Sequence, residues 1–531
     1  MKYTSFLLIL LLTGACSTIK DMSLEKNKKY NKKGGGFVLE IVNTAPRITS
    51  AIEQWNHVYI SSITGESTGY MVSGITTPYS SELFVGQLPE GKYMIAMMKG
   101  EHTIMNMVYL TFGYLPPWFL AFEVKNGEIN NLGTVLYHPL KTMGSQERVN
   151  PPYVISKLKS DHAYLFCSEK FPVFFTGKAV NRINQPDSLQ SANAQLKSAA
   201  RPVLGAMSDK GQMFFGCNMG SLMVKDSSNM NKFHLEGSGK ILSLSAFGDE
   251  IVVGGENGLF GFFNTANSSW KGINLPDRVG NVFAIEKLDN SRFLLLVHRK
   301  DTLFELWAYD YHAGKFSLLE SFTKTIKSKI AGLVYPVALS HEEVVRVFID
   351  ERTWHINKTT LEVNKLTGGG EYNFIYEQPN GIITGSKHNT WRGRDPLEFS
   401  NDGGKTWVVS NEKVNVFTSI GQPIYVTSDS LFFRTRRNYK LAVNELNRDN
   451  HVSFLKSEDY GENWQPVGNL PLGCYNFIHE VSNDDKFVVG CESGDIMQSE
   501  DQGISWELLY KNNEIDLDEY PKYLQFVPME E

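Results

Sequence analysis

SNDGGKTW (400–407), SEDYGENW (457–464) and SEDQGISW (499–506) are three copies of one eight-residue pattern. Each copy has Ser first (Ser400, Ser457, Ser499), Asp third (Asp402, Asp459, Asp501), Gly fifth (Gly404, Gly461, Gly503) and Trp eighth (Trp407, Trp464, Trp506). Repetition of a short unit within about a hundred residues means a stacked or radial array of one supersecondary element. The unit reads as a tight turn. Apolar runs flank it, as in VVGCESGDIMQSEDQGISWELLY. The Asp carboxylate is placed to accept backbone N–H groups, the Gly supplies a positive φ, and the Trp offers a large flat surface for burial.

This pattern resembles the Asp-box (BNR) repeat of sialidase-like β-propellers, S-x-D-x-G-x-[TS]-W. The middle copy departs from it at Asn463. The resemblance implies that each box lies at the turn between the third and fourth strands of a blade, away from the ligand face, in a structural role. The boxes begin 57 and 42 residues apart, against about 40–50 residues for a propeller blade. The excess falls in RTRRNYKLAVNELNRDNH (434–451). The same cadence of strand, Gly turn, strand, polar turn and aromatic continues upstream with the boxes worn away. It is legible in GQMFFGCNMGSLMVKDSSNMNKF (211–233), GDEIVVGGENGLFGFFNTANSSW (248–270), SRFLLLVHRKDTLFELWAYDYHAGKF (291–316) and EEVVRVFIDERTWHINKTTLEV (342–363). Seven units follow, with eight blades as the alternative. AYLFCSE (163–169), PVFFTG (172–177) and YLQFV (523–527) are further strand candidates for closing the ring.

The first residues point to export. Met1-Lys2, the apolar run Phe6 to Leu12 and then Thr13-Gly14-Ala15-Cys16 form a signal segment, 1–15, too short to span a membrane as a mature helix. Small residues before a cysteine resemble a bacterial lipobox, with Thr13 where Leu is usual. That resemblance implies acylation of Cys16 and a lipid anchor in the cell envelope, and Ser17 points to the outer membrane. Residues 16–36, rich in Lys and ending in three glycines, read as a flexible, solvated tether. Residues 37–140 carry about seven short apolar segments with turn signals such as Pro89-Glu90-Gly91 and Asn126-Gly127. They predict a small antiparallel β-sandwich. LFVGQLPEGKYMIAMM resembles the transthyretin-like or carboxypeptidase-regulatory modules of bacterial lipoproteins. Met94, Met97, Met98, Met105 and Met107 are read as core filling. The propeller is assigned to 150–531, so the whole chain is all-β.

Composition agrees with this plan. The 531 residues are 42% hydrophobic and 12% aromatic, with 45 glycines and a net charge of −6. That balance gives no footprint for nucleic acid. Besides Cys16 there are Cys167, Cys217, Cys474 and Cys491, which allow three pairings. Cys474 and Cys491 are placed to face each other within one blade. Cys217 and Cys491, however, occupy equivalent positions (FFGC, VVGC), which favours small buried thiols. No spacing matches a zinc site, and no metal or cofactor is expected.

Two function classes stay open. The sialidase resemblance implies three arginines for a carboxylate, the first in an R-I-P motif, with a Tyr–Glu nucleophile pair and an Asp acid/base. Arg182-Ile183 comes near that motif, but Asn184 and Gln185 intervene before Pro186. Glucan-cleaving Asp-box enzymes use two carboxylates instead, for which Asp310, Asp350, Glu351 and Asp395 are available. Sequence assigns none of these a catalytic role. Non-catalytic relatives of the sortilin and photosystem II assembly-factor type bind proteins or peptides. Two aromatic, arginine-rich stretches suit such a role: HNTWRGRDPLEF, with Trp391, Arg392 and Arg394, and FFRTRRNYK, with Arg434, Arg436, Arg437 and Tyr439. The reading taken is a non-enzymatic envelope lipoprotein with a protein or glycan partner. The alternative is an envelope glycoside hydrolase.

Overall fold

Alternation along the N-terminal strands decides how they layer. In Gly36–Asn43, Phe37, Leu39 and Ile41 join a core with Trp55, Val58, Ile60 and Ile95. Val38, between them, points the other way into a second core with Leu83, Val85 and Ile129. Opposite faces of one strand thus feed two apolar layers. The computed structural model describes residues 19–24, 30–43, 55–64, 69–75, 81–104, 107–116, 118–139, 153–183, 202–226, 229–235, 239–276, 280–299, 303–323, 328–329, 332–333, 336–349, 352–367, 372–387, 397–404, 406–410, 419–420, 424–437, 452–471, 474–491, 494–512 and 525–527. The chain divides into two units: Met1–Ala194 with Tyr520–Glu531, and Gln195–Glu519.

The first unit departs from the expected antiparallel sandwich in three ways. Gly36–Asn43 pairs in parallel with Glu128–Pro139, and Ala179–Arg182 joins the same strand in parallel. Its sheet extends beyond residue 140 through Tyr153–Leu158 and then Gln525–Val527. The second face of that sheet is covered by helices. AYLFCSE, expected as a strand, lies in the helix His162–Lys170, and Pro172–Phe175 follows as a second short helix. Ala163 and Cys167, one helical turn apart, bury against Val38 and Leu83 together with Phe171, Phe174 and Phe175. Glu40, fully buried on this same face, accepts from the Thr134 hydroxyl and lies 2.9 Å from His162 Nδ1, tying the helix start to the sheet.

The expected tether is also corrected. Lys20–Asp21 pairs in parallel with Tyr70 and Met71, and Leu24 is buried in the second core. Gly35 allows close approach: a Cβ there would lie 2.1 Å from the Lys125 carbonyl oxygen. These residues are therefore part of the folded unit.

The second unit is a seven-bladed propeller running from Pro202 to Tyr510. Its blades begin at Pro202–Met207, Ile241–Phe247, Asn281–Lys287, Val337–His341, Tyr372–Glu377, Ser419–Ile420 and Cys474–Phe477. Each is an antiparallel sheet of consecutive strands, with Tyr425–Val426 as an extra piece in the sixth. First strands pack on the first strands of neighbouring blades, and fourth strands are the exposed ones, as in Val408–Val409 and Glu507–Tyr510. First strands therefore line the axis and fourth strands form the rim. Second strands such as Met213–Cys217 and Phe487–Cys491 are buried throughout, which explains their unbroken apolar sequences.

Among the described residues the ring closes without a shared blade. The seventh blade uses only Cys474 to Tyr510, and Gln525–Val527, expected near the closure, belongs to the first unit. Side chains close the seam instead. Met213, Phe215, Cys217 and Met223 of the first blade share one core with Ile478, Val481, Val488 and Ile496 of the seventh.

Candidate functional site

The three boxes fix which edge of the propeller is which. All three lie in turns between third and fourth strands. In each, the Ser hydroxyl donates to the Asp carboxylate at 2.8 Å. The Gly N–H donates back to that hydroxyl oxygen at 2.7, 2.9 and 2.8 Å in chain order. The seventh residue caps the Asp twice, through its backbone N–H and its side chain. Thr406 Oγ1, Asn463 Nδ2 and Ser505 Oγ each lie 2.6 Å from the carboxylate. Asn463, the departure from the pattern, thus supplies the same bond with an amide. The box glycines have φ of 81°, 80° and 87°.

Each box is stapled to the preceding blade. Arg346 of the fourth blade donates to the Gly403 carbonyl of the fifth. Trp407 packs with Leu339 and Phe348 of the fourth blade, and Trp464 with Tyr376 and Leu397 of the fifth. The Trp506 ring centre lies 5.0 Å from that of Phe454 in the sixth.

The opposite edge carries the connections between second and third strands. These span two to four residues in five blades, but nine (388–396) in the fifth and fourteen (438–451) in the sixth. Both stretches singled out from sequence are rooted here, on adjacent blades. Trp391, Arg392, Arg394 and Tyr439 lie outside the described residues, but their anchors do not. Ser386 pairs with Leu397, and Arg437 with Val452, at the edge away from the boxes. FFRTRR is not a loop: Phe432–Arg437 is the second strand of the sixth blade. Arg436 and Arg437 end it and pair with Ile420 and Ser419. Arg436 is half-buried, and among the described residues its Nε has no hydrogen-bond partner.

Arg434 is corrected. It is 4% exposed, and its guanidinium carbon lies 3.7 Å from the Trp464 ring centre. The delocalised, weakly hydrated guanidinium tolerates this burial over an indole face. Arg434 is therefore a core residue of the sixth blade.

A polar cluster missed by sequence reasoning occupies the axial end on the box side. The seventh blade joins its first two strands through the short 3-10 helix His479–Val481. Gly205 N–H of the first blade and the Tyr376 hydroxyl of the fifth both donate to the Glu480 carboxyl. His479 Nε2 donates to Gln378 Oε1 at 2.9 Å, and its ring stacks on Tyr376 at 4.5 Å. Burial holds the His479 imidazole down to about 4, so the ring is neutral. Gln378 is buried, whereas Tyr376, His479 and Glu480 keep part of their surface open. Burial, then the Glu480 charge and hydrogen bond, push the Tyr376 hydroxyl well above the ordinary tyrosine range. That is the reverse of what a nucleophilic phenol requires. No sequence signal marked Glu480, because its partners are more than a hundred residues away.

The arginine read against the R-I-P motif lies elsewhere. Arg182 is on a strand of the first unit, its Nη2 2.7 Å from Asp161 Oδ2 and its Nε 2.9 Å from Oδ1. Of the candidate acids, Asp310 accepts the Ala313 N–H at 2.8 Å in its own turn, while Asp350, Glu351 and Asp395 lie outside the described residues. Cys16 does too. Among the described residues no group of His, Cys, Asp and Glu is arranged to hold a metal ion, and no helix is long and apolar enough to cross a membrane.

Cys474 and Cys491 form a disulfide across the first two strands of the seventh blade, correcting the expectation of free thiols there. Cys217 is a buried thiol. The two positions are equivalent in register, but Cys217 faces Pro202 where Cys491 faces Cys474.

No family model and no curated protein matches the chain. Solved β-propeller structures are similar to it. The extracellular domain of the hybrid two component system BT3049 from B. thetaiotaomicron aligns at 13% identity and TM-score 0.38, over 57% of this chain and 40% of that one. YCF48 bound to D1 peptide aligns at 13% identity and TM-score 0.39, covering 56% and 91%. The Cps50 (Swd1) propeller domain of Myceliophteria thermophila aligns at 11% identity and TM-score 0.39, covering 56% and 97%.

Proposed function

We propose that this protein is an exported, lipid-anchored component of the bacterial cell envelope, acylated at Cys16 and held on the outer membrane. Its propeller binds a protein or glycan partner without chemical turnover. The boxes, on this reading, make it a sialidase-like Asp-box propeller that kept the scaffold and took up binding. One observation carries the binding role. The two longest connections between second and third strands lie on adjacent blades, on the edge opposite the boxes. They contain Trp391, Arg392, Arg394 and Tyr439 and adjoin Arg436 and Arg437. Arginine and large aromatics are the residues enriched where partners dock, and a guanidinium pairs in two-pronged fashion with carboxylates and anionic glycans.

The glycosidase alternative rests on Tyr376 and Glu480, which do form a Tyr–Glu pair. The pair lies on the box side, with its hydroxyl proton held tightly and Glu480 shared with the Gly205 N–H.

The test is cross-linking of the full-length protein in native envelopes, followed by capture. A variant with Arg392, Arg394, Arg436 and Arg437 changed to Ala runs alongside. A specific partner captured by the native protein and lost from the variant is the expected result. Hydrolysis of an envelope glycan by the native protein, abolished in Tyr376→Phe, would overturn the non-enzymatic reading.

A further inference from the structure

Strand direction gathers one set of ends in the first unit. Trp55–Ser62 finishes where Gly69–Ile75 starts, since Ser61 pairs with Gly69. Gly91–Ile104 starts beside them, with Ser62 opposite Tyr93. Ala121–Val124 finishes there too, with Val124 opposite Gly91, and Gly36–Asn43 starts there opposite Gln87. The chain comes in at this same end, because Lys20–Asp21 runs parallel to the strand starting at Gly69.

Two apolar side chains protrude at this end. Ile19 is 55% exposed and Ile63 is 49% exposed. Ile19 Cγ1 lies 3.8 Å from where a Gly69 Cβ would stand, and Ile63 donates its N–H to the Lys92 carbonyl at 2.9 Å. Around them Lys20, Lys33, Lys92 and Lys125 are exposed, with the Lys33 carbonyl accepting the Gly127 N–H at 2.9 Å. Three acids stand among them: Asp21 accepts from the Ser23 hydroxyl at 2.5 Å, Glu123 lies 3.7 Å from Lys125 Nζ, and Glu90 accepts the Asn126 N–H at 2.9 Å. Protruding aliphatics ringed by lysines are the composition of a surface that rests on an anionic bilayer.

We infer that this end of the first unit docks on the leaflet that holds the acyl chains. Ile19 and Ile63 enter the headgroup boundary, and the lysines lie on anionic headgroups. The inference rests on the proposed acylation of Cys16. From Cys16 to Ile19 is three residues, a reach of at most about 10 Å, so an anchored Cys16 keeps this end of the sheet at the membrane. A basic patch adds an electrostatic contribution to that of a lipid anchor on an anionic leaflet. What reads as a tether in sequence thus acts as a short, seated strap.

The test uses the full-length, membrane-processed protein in phosphatidylglycerol–phosphatidylethanolamine vesicles with brominated acyl chains. An environment-sensitive dye is attached at Ile63→Cys or at Leu110→Cys. Leu110 pairs with Glu101, about 30 Å along the sheet from the docking end. Mass spectrometry of the N-terminal peptide reports acylation independently. The expected result is acylated protein in which the dye at 63 is quenched severalfold more than the dye at 110. That difference should fall by at least half in a Lys20→Glu/Lys92→Glu background. Acylated protein with equal quenching at both sites would overturn the docking and leave the lipid anchor standing. An unmodified Cys16 would overturn both.

Discussion

At the residue scale, the box glycines answer two demands at once. Their positive φ admits few other residues, and a Cβ would also strike the preceding blade. The severity differs between boxes. At Gly503 the Cβ would lie 2.1 Å from Phe454 Cδ1, a ring fixed in the core, whereas at Gly404 it would meet Arg346 Nη1 at 2.8 Å. A left-handed non-glycine residue costs about 1–2 kcal/mol, and overpacking a core adds about 1–3 kcal/mol. Gly503→Ala should therefore lose about 3–4 kcal/mol in chemical denaturation, and Gly404→Ala about 1–2 kcal/mol. The box carboxylates add a pH dependence. Hydrogen bonds from the Ser505 side chain and backbone, and from Ser499, hold Asp501 below the usual carboxylate range; Asn463 and Ser457 do the same for Asp459. A depressed acid stabilises the fold above its unfolded value, about 3.9, and that contribution is lost as pH falls through the folded value. Asp501→Asn should be less stable than the native protein at neutral pH. It should also show a shallower decline in stability below about pH 4, measured by denaturant midpoints across that range.

At the scale of single elements, local chemistry separates what sequence discloses from what it hides. The boxes were legible because Ser, Asp, Gly and Trp complete their hydrogen bonds within eight residues, and Asn463 merely exchanges one donor for another. The four upstream blades were legible from strand cadence alone. The helix His162–Lys170 was not, since Ala163, Leu165 and Cys167 alternate as in a strand while burial falls on Ala163 and Cys167. Lys20–Asp21 was hidden because its pairing with Tyr70 and Met71 runs through backbone groups that composition does not report. Arg434 looked like a surface residue because its indole partner is 30 positions on. The cysteines show how a repeat can mislead: Cys217 and Cys491 are equivalent, and only the residue across the ladder differs. A bridge between positions 17 apart restricts the unfolded chain by about 3 kcal/mol. Cys474→Ala/Cys491→Ala should lose about that much in denaturation and become insensitive to dithiothreitol. Cys217→Ala, a small cavity, should cost about 1 kcal/mol.

Over the whole molecule, the unusual feature is where the last described strand pairs. Propellers commonly join their first and last segments in one blade, and YLQFV invited that expectation here. Instead Gln525–Val527 leaves the ring and pairs with Tyr153, Val154 and Ile155 in the first unit. Closure falls to the seam between the first and seventh blades, where Asn476 Nδ2 donates to the Pro202 carbonyl at 3.3 Å and Ile478 and Val481 pack on Gly205. A direct consequence can be measured. Deleting 520–531 removes no described strand of any blade, so amide exchange in Pro202–Met207 and Cys474–Phe477 should stay as slow as in the full chain. Tyr153–Leu158 becomes an edge strand by the same deletion, with its outward ladder groups exposed to water. Each lost backbone bond is worth about 0.5–1.5 kcal/mol, so exchange there should quicken by one to two orders of magnitude, roughly 1.4 kcal/mol per tenfold. Loss of protection at Pro202–Met207 on the same deletion would show that the ring depends on the C-terminal segment after all.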